Sequence, residues 1–131
     1  MSGPIFISEQ AIIDLHDDLL EAHGGPHGMD YAKVCSVAAF PRQRHAYENP
    51  MPSVPDLAAL YAFAASSFHA FTDGNKRVAL ALLDLFLMQN GFELTADQQD
   101  AEETILALAR NEIGEADIVA WVNDHCSPMI D

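Results

Sequence analysis

Within nine residues the chain sets His69, Asp73, Gly74, Asn75, Lys76 and Arg77, side chains able to do chemistry on a phosphate chain. An imidazole can accept a hydroxyl proton near neutral pH, which makes His69 a candidate general base. Asp73 offers the hard oxygen that magnesium takes, since that ion commonly uses one or two carboxylates beside phosphate oxygens. Gly74 and the unpaired N–H groups opening a helix behind it would form an anion cradle, helped by the positive end of the helix dipole. Lys76 and Arg77 fall in that same first turn, where each cation opposes the dipole by about 0.3–1 kcal/mol and so calls for a negative partner. A bound polyphosphate would be that partner. Singly, each residue has a plainer reading: a structural histidine, an ordinary Asp-Gly-Asn turn, a solvated Lys-Arg pair. Their concentration in one turn, ahead of an apolar helix, favours the chemical reading.

Composition sharpens this. The 131 residues carry 20 acidic and 6 basic side chains, a formal net charge of −14. So acidic a surface repels phosphate backbones, and a nucleic-acid partner is not expected. The cations are Lys33, Arg42, Arg44, Lys76, Arg77 and Arg110, and four of them form two tight clusters. Two local clusters in an acidic chain predict an anion that both could face. Cys35 and Cys126 have no second cysteine at ligand spacing. A zinc site of the usual kind is therefore not expected, and free thiols in a reducing cytoplasm are. Met1-Ser2-Gly3-Pro4 lacks the basic and apolar stretches of a signal peptide. The apolar run from Val78 to Met88 is broken by Asp84 and too short to span a bilayer, so a soluble protein without a membrane partner is expected. Half the residues are hydrophobic, enough for a single domain over residues 1–131 without disulfides.

The elements that must position the turn read as helices. Ser8 caps a first helix through Ile12, Leu15, Leu19 and Leu20, stopped by Gly24-Gly25. Asp30 caps a second, which Pro41 is expected to end, and residues 41–55, with four prolines, read as a long irregular connection. Ser53-Val54-Pro55-Asp56 fits a capping box opening a third helix through Leu57, Leu60, Tyr61, Ala64 and Ala65. Residues 71–74 are a turn. From Asn75 to Asn90 a fourth helix is apolar all round, which marks a buried helix and places it at the centre. Phe92-Glu93-Leu94 is short and extended, Thr95 with Gln98 caps a fifth helix that Gly114 ends, and a sixth carries Ile118, Val119 and Val122. Cys35 is expected in the core, and His23 and His27, on either side of Gly-Gly-Pro, in a loop. The fold class expected is all-α: a compact bundle of about six helices around a buried central helix.

His69-Ala70-Phe71-Thr72-Asp73-Gly74-Asn75-Lys76-Arg77, followed by an apolar helix ending in Asn90-Gly91, resembles the signature of the Doc (death-on-curing) branch of the Fic/Doc superfamily. Leu15-His16-Asp17, Gly24-Gly25, Gly28-Met29, residues 42–48 and Gly114-Glu115 extend the resemblance over nearly the whole chain. It implies His69 as general base toward a protein hydroxyl, Asp73 as magnesium ligand, and Gly74, Asn75 and Arg77 as phosphate-binding. In AMP-transferring relatives a second glycine stands where this chain has Lys76. In Doc-like proteins the lysine goes with a reversed nucleotide and transfer of the γ-phosphate, which adds Lys76 to the catalytic and nucleotide-binding set. The resemblance thus implies an ATP- and magnesium-dependent protein kinase toxin, elongation factor Tu as target, and a Phd-like antitoxin docking near Arg42 and Arg44. Fic-type AMP transfer and a degenerate nucleotide- or partner-binding module are the alternatives. Ser67 stands in place of an arginine, Ala81 in place of an asparagine, and Phe40 precedes Pro41 where many relatives have arginine.

Overall fold

In the computed structural model, which describes residues 3–130, Ser8 accepts a hydrogen bond from the Ala11 N–H and opens α1 (Glu9–His23). The expectation for Met1 and Ser2 lies outside the described residues. Ile12, His16 and Leu20 form the buried stripe of α1, and the helix stops at Gly24, whose φ of 77° is in the left-handed region that glycine adopts freely. α2 (Tyr31–Tyr47) starts at Asp30, whose carboxylate accepts from the Lys33 N–H.

Pro41 does not end α2; it lies inside the helix. An internal proline removes one helical hydrogen bond and crowds the preceding turn, at about 3 kcal/mol. Tertiary contacts hold the turn beyond it. The Pro41 ring is buried, the Arg42 guanidinium sits 5.0 Å from the Phe6 ring centre, and that of Arg44 sits 4.7 Å from Phe40. Arg44 also makes two 2.7 Å bonds to the Glu115 carboxylate, which raises the guanidinium pKa further. The irregular connection expected over residues 41–55 shrinks to residues 48–53.

α3 (Val54–Ser67) opens with the expected box: Ser53 accepts from the Asp56 N–H while Asp56 accepts from the Ser53 N–H. α4 runs from Asn75 to Gln89. The buried central helix is α3, not α4. Ala58, Ala59, Ala62, Ala64 and Ala65 are all buried, and their small side chains let α2, α4, α5 (Gln98–Ala109) and α6 (Glu115–Asp124) approach from different sides. α4 keeps an open flank instead, with Asp84 exposed and Met88 53% exposed.

After the Asn90-Gly91 stop, β1 (Phe92–Leu94) pairs antiparallel with β2 (Cys126–Pro128), Glu93 opposite Ser127. α5 is capped by Asp97, which accepts from the Asp100 N–H at 2.8 Å, and not by Thr95. The Thr95 N–H is instead engaged by the His125 carbonyl at 2.7 Å, beside the β1–β2 ladder. Nor does Gly114 end α5. The helix stops at Ala109, the chain turns through Asn111 at φ 60°, a conformation asparagine tolerates, and Gly114 opens α6. Cys35 is half-buried rather than in the core, and burial pushes the Cys126 thiol up. His23 ends α1 and His27 lies in the loop after it. Among the described residues no helix is long and apolar enough to cross a membrane.

Tyr61 ties the N-terminal segment to the core: its hydroxyl accepts from the Ile7 N–H at 2.9 Å and donates to the Ile7 carbonyl at 3.4 Å. Burial raises the pKa of this phenol. Its stabilisation is therefore intact below the ordinary tyrosine value and falls as pH rises through the higher folded one. Denaturant titrations should show Tyr61→Phe less stable than the native chain at about pH 8, with a shallower decline toward about pH 11.

Candidate active site

The turn between α3 and α4 is held at several points. His69 has φ 54°, a left-handed conformation that a non-glycine residue takes at some strain. Asn75 uses both ends of its amide on one residue: its Oδ1 accepts from the Phe71 N–H at 3.1 Å, and its Nδ2 donates to the Phe71 carbonyl at 2.8 Å. Gly74, at φ 89°, then opens α4 without any side-chain cap. The N–H groups of the first turn of α4 are thus left without a helical partner or a capping side chain. What Asn75 can offer an anion is its backbone N–H, because its side chain is spent closing the turn.

The loop after α1 clamps this turn from outside. Asp30 donates its N–H to the Ala70 carbonyl at 2.8 Å, and Thr72 donates to the Gly28 carbonyl at 3.0 Å. The glycines of that loop are required by the approach. A Cβ on Gly25, where φ is 120°, would lie 2.6 Å from Asp73 Oδ2, and one on Gly28 would collide with Thr72 Oγ1. Asp73 thus lies close against the loop on one side while remaining exposed to the cleft.

All six residues singled out for chemistry, His69, Asp73, Gly74, Asn75, Lys76 and Arg77, line one open cleft of about 450 Å³, with Ser66, Thr72 and Ala109. Ala109 belongs to the end of α5, which the sequence pattern did not bring to the site. Among the described residues Lys76 and Arg77 form no ion pair. Two unneutralised cations, free N–H groups at a helix head and one carboxylate together suit a polyphosphate with magnesium. No group of three metal-binding side chains occurs among the described residues. A magnesium ion at Asp73 would have to take its other ligands from phosphate oxygens and water. Arg77 also lines an adjoining groove of about 450 Å³ between α1, α4 and α5, where Asp84, the polar residue of the apolar run, stands.

The second cation cluster does not join the first. Arg42 and Arg44 lie on α2 against Phe6, Phe40 and Glu115, and neither lines the cleft. The expectation of one anion shared by both clusters fails because Glu115, remote in sequence, already neutralises Arg44.

Two polar residues near the turn carry no site role in the sequence reading, although His16 enters it within Leu15-His16-Asp17. Ser66 Oγ, in the last turn of α3, is buried without a hydrogen-bond partner at the wall of the cleft. His16 is 3% exposed and its Nε2 lies 2.8 Å from the Asp73 carbonyl oxygen. The signal for His16 was its place midway between Ile12 and Leu20, on the apolar stripe of α1, where a polar ring requires a buried partner.

The sequence profile of the Fic/DOC family matches residues 6–87, from the N-terminal segment into α4. Protein kinase doc of Escherichia phage P1 is 33% identical over 113 residues, which cover 86% of this chain and 88% of the relative. The chain belongs to the Fic/DOC family. The family match takes in His16, the glycines of the clamping loop and every charged residue of the cleft. α5, whose last residue completes the cleft wall, lies beyond it. A Fic/DOC chain of this size thus carries its cation-rich helix head on an otherwise strongly acidic molecule.

Proposed function

We propose that this Fic/DOC chain is a Doc-like toxin enzyme that transfers the γ-phosphate of ATP to a hydroxyl of a target protein. The observation that carries the reading is Lys76, a long cation at the head of α4 in the cleft that also holds His69 and Asp73. The similarity to a relative named as a protein kinase supports it. In this reading His69 takes the proton of the acceptor hydroxyl as its oxygen bonds to the γ-phosphorus and the bond to the ADP oxygen breaks. Lys76, Arg77 and the backbone N–H groups from Gly74 onward orient the phosphates and offset their charge, and positioning with electrostatics supplies most of the catalysis. Asp73 would hold magnesium, which neutralises phosphate charge when bound. Elongation factor Tu is the proposed target, a Phd-like antitoxin the proposed partner, and the cytoplasm the proposed compartment, all from the family resemblance. Arg44 is engaged by Glu115, so of the two arginines Arg42 is the one left to face the proposed antitoxin on α2.

The test is incubation of purified protein with magnesium and ATP labelled at the α or the γ position, in bacterial lysate. Label from the γ position entering one abundant protein is the expected result. Transfer of the α label would replace the kinase reading with AMP transfer. Label from neither position, with ATP still bound, would leave a nucleotide-binding module.

A further inference from the structure

We infer that His16 is a positioning residue for the cleft, holding the Asp73–Gly74 backbone from α1 so that the carboxylate and the head of α4 keep one fixed relation. The inference rests on the proposed role of Asp73 for its functional meaning, but its geometry stands independently. The carbonyl of Asp73 can only accept, so the His16 nitrogen 2.8 Å away carries the proton and donates. The plane of the same ring is fixed as well, stacked on Phe71 with centroids 3.8 Å apart and planes 11° off parallel. The edge of the ring also meets Gly74, where a Cβ would lie 3.5 Å from His16 Cδ2 and Nε2. One side chain thus touches three residues of the turn, at the first, third and fourth of the positions 71–74.

A bland packing role does not account for this choice of residue. His16 sits between Ile12 and Leu20 on a stripe that a leucine or phenylalanine would fill without the desolvation of a polar ring. The histidine is favourable there because the hydrogen bond from its N–H to the Asp73 carbonyl offsets the desolvation of the buried ring. The other restraints on the turn act elsewhere: Asn75 holds Phe71, while Gly28 and Asp30 hold Thr72 and Ala70. None of these bonds reaches Asp73. His16 is its backbone restraint, and the approach of Gly25 to the carboxylate is the matching restraint on its side chain.

The experiment compares wild type with His16→Phe, which keeps an aromatic ring over Phe71 and loses the donor, and His16→Gln, which keeps an N–H donor. Two readouts are taken: amide hydrogen exchange across residues 71–76, and magnesium–ATP affinity by calorimetry with ADP alone as reference. In His16→Phe, exchange in the turn should speed up about tenfold and magnesium–ATP affinity fall about tenfold, with ADP affected less, since small misplacements in such sites are costly. His16→Gln should recover most of both. A folded His16→Phe with wild-type exchange and affinity overturns the inference. If His16→Phe does not fold, the wild type decides by NMR: a slowly exchanging His16 Nε2 proton coupled to the Asp73 carbonyl upholds the clamp, and its absence overturns it. A wild type that binds no magnesium–ATP would sink the phosphotransfer reading, while the exchange measurement would still decide the clamp.

Discussion

Replacing His69 with asparagine is expected to slow phosphoryl transfer about 10²–10⁴-fold, the usual contribution of a positioned general base. Asparagine is the suitable substitute because residue 69 holds φ 54°, a conformation that asparagine accepts better than most side chains. The His69 side chain is exposed at the cleft, so its removal leaves the core untouched. ATP affinity should stay within about threefold of wild type, because the cations and N–H groups of the α4 head, and not the imidazole, face the phosphates in the proposed reaction. Single-turnover transfer of γ-label, read beside equilibrium ATP binding, separates the two quantities. A variant retaining more than about a third of the transfer rate would remove His69 from the base role. A parallel collapse of ATP binding would show that the residue serves the nucleotide rather than the acceptor.

Phe86→Ala is expected to destabilise the fold by about 3–5 kcal/mol, the range for deleting a buried aromatic ring. Phe86 is fully buried in α4 and lies 5.0 Å from the Tyr61 ring and 6.1 Å from that of Phe6. It therefore joins α4, α3 and the N-terminal segment at one point. Packing around it is shared by three elements that are each anchored elsewhere, so the cavity cannot readily collapse. Met88, two residues along the same helix and 53% exposed, supplies the contrast: Met88→Ala should change stability by no more than about 0.5 kcal/mol. Urea unfolding of both variants checks this. Equal effects would mean that α4 is packed on all sides, as its composition suggests, and not only on its α3 face.

The helix starts at Ser8, Asp30 and Ser53 were legible because a cap is a bargain among residues within four positions of one another. The residues of the cleft were legible for the same reason. Five of the six, Asp73 to Arg77, are contiguous, and a turn followed by a helix head must gather them wherever the rest of the chain goes. What failed was decided at longer range. Pro41 carries every local mark of a helix end, yet α2 continues because Phe6, Phe40 and Glu115 hold the turn beyond it. Thr95 has the composition of a cap, but its N–H is claimed by His125.

The hydrophobicity of α4 exceeds what one buried face needs, so composition placed it at the centre. Only the packed fold shows that the alanines of α3 let the other helices close in, because backbone approach depends on side-chain size at both surfaces. His16 follows the same rule. Its position on an apolar stripe was readable, but its partner, the Asp73 carbonyl 57 residues away, exists only once α1 lies against the head of α4. The residue types, their order in the turn and the helical class were thus written locally. The centre of the bundle, the neutralisation of Arg44 and the restraint on Asp73 came from the tertiary structure, since each is a contact between segments whose meeting no local pattern encodes.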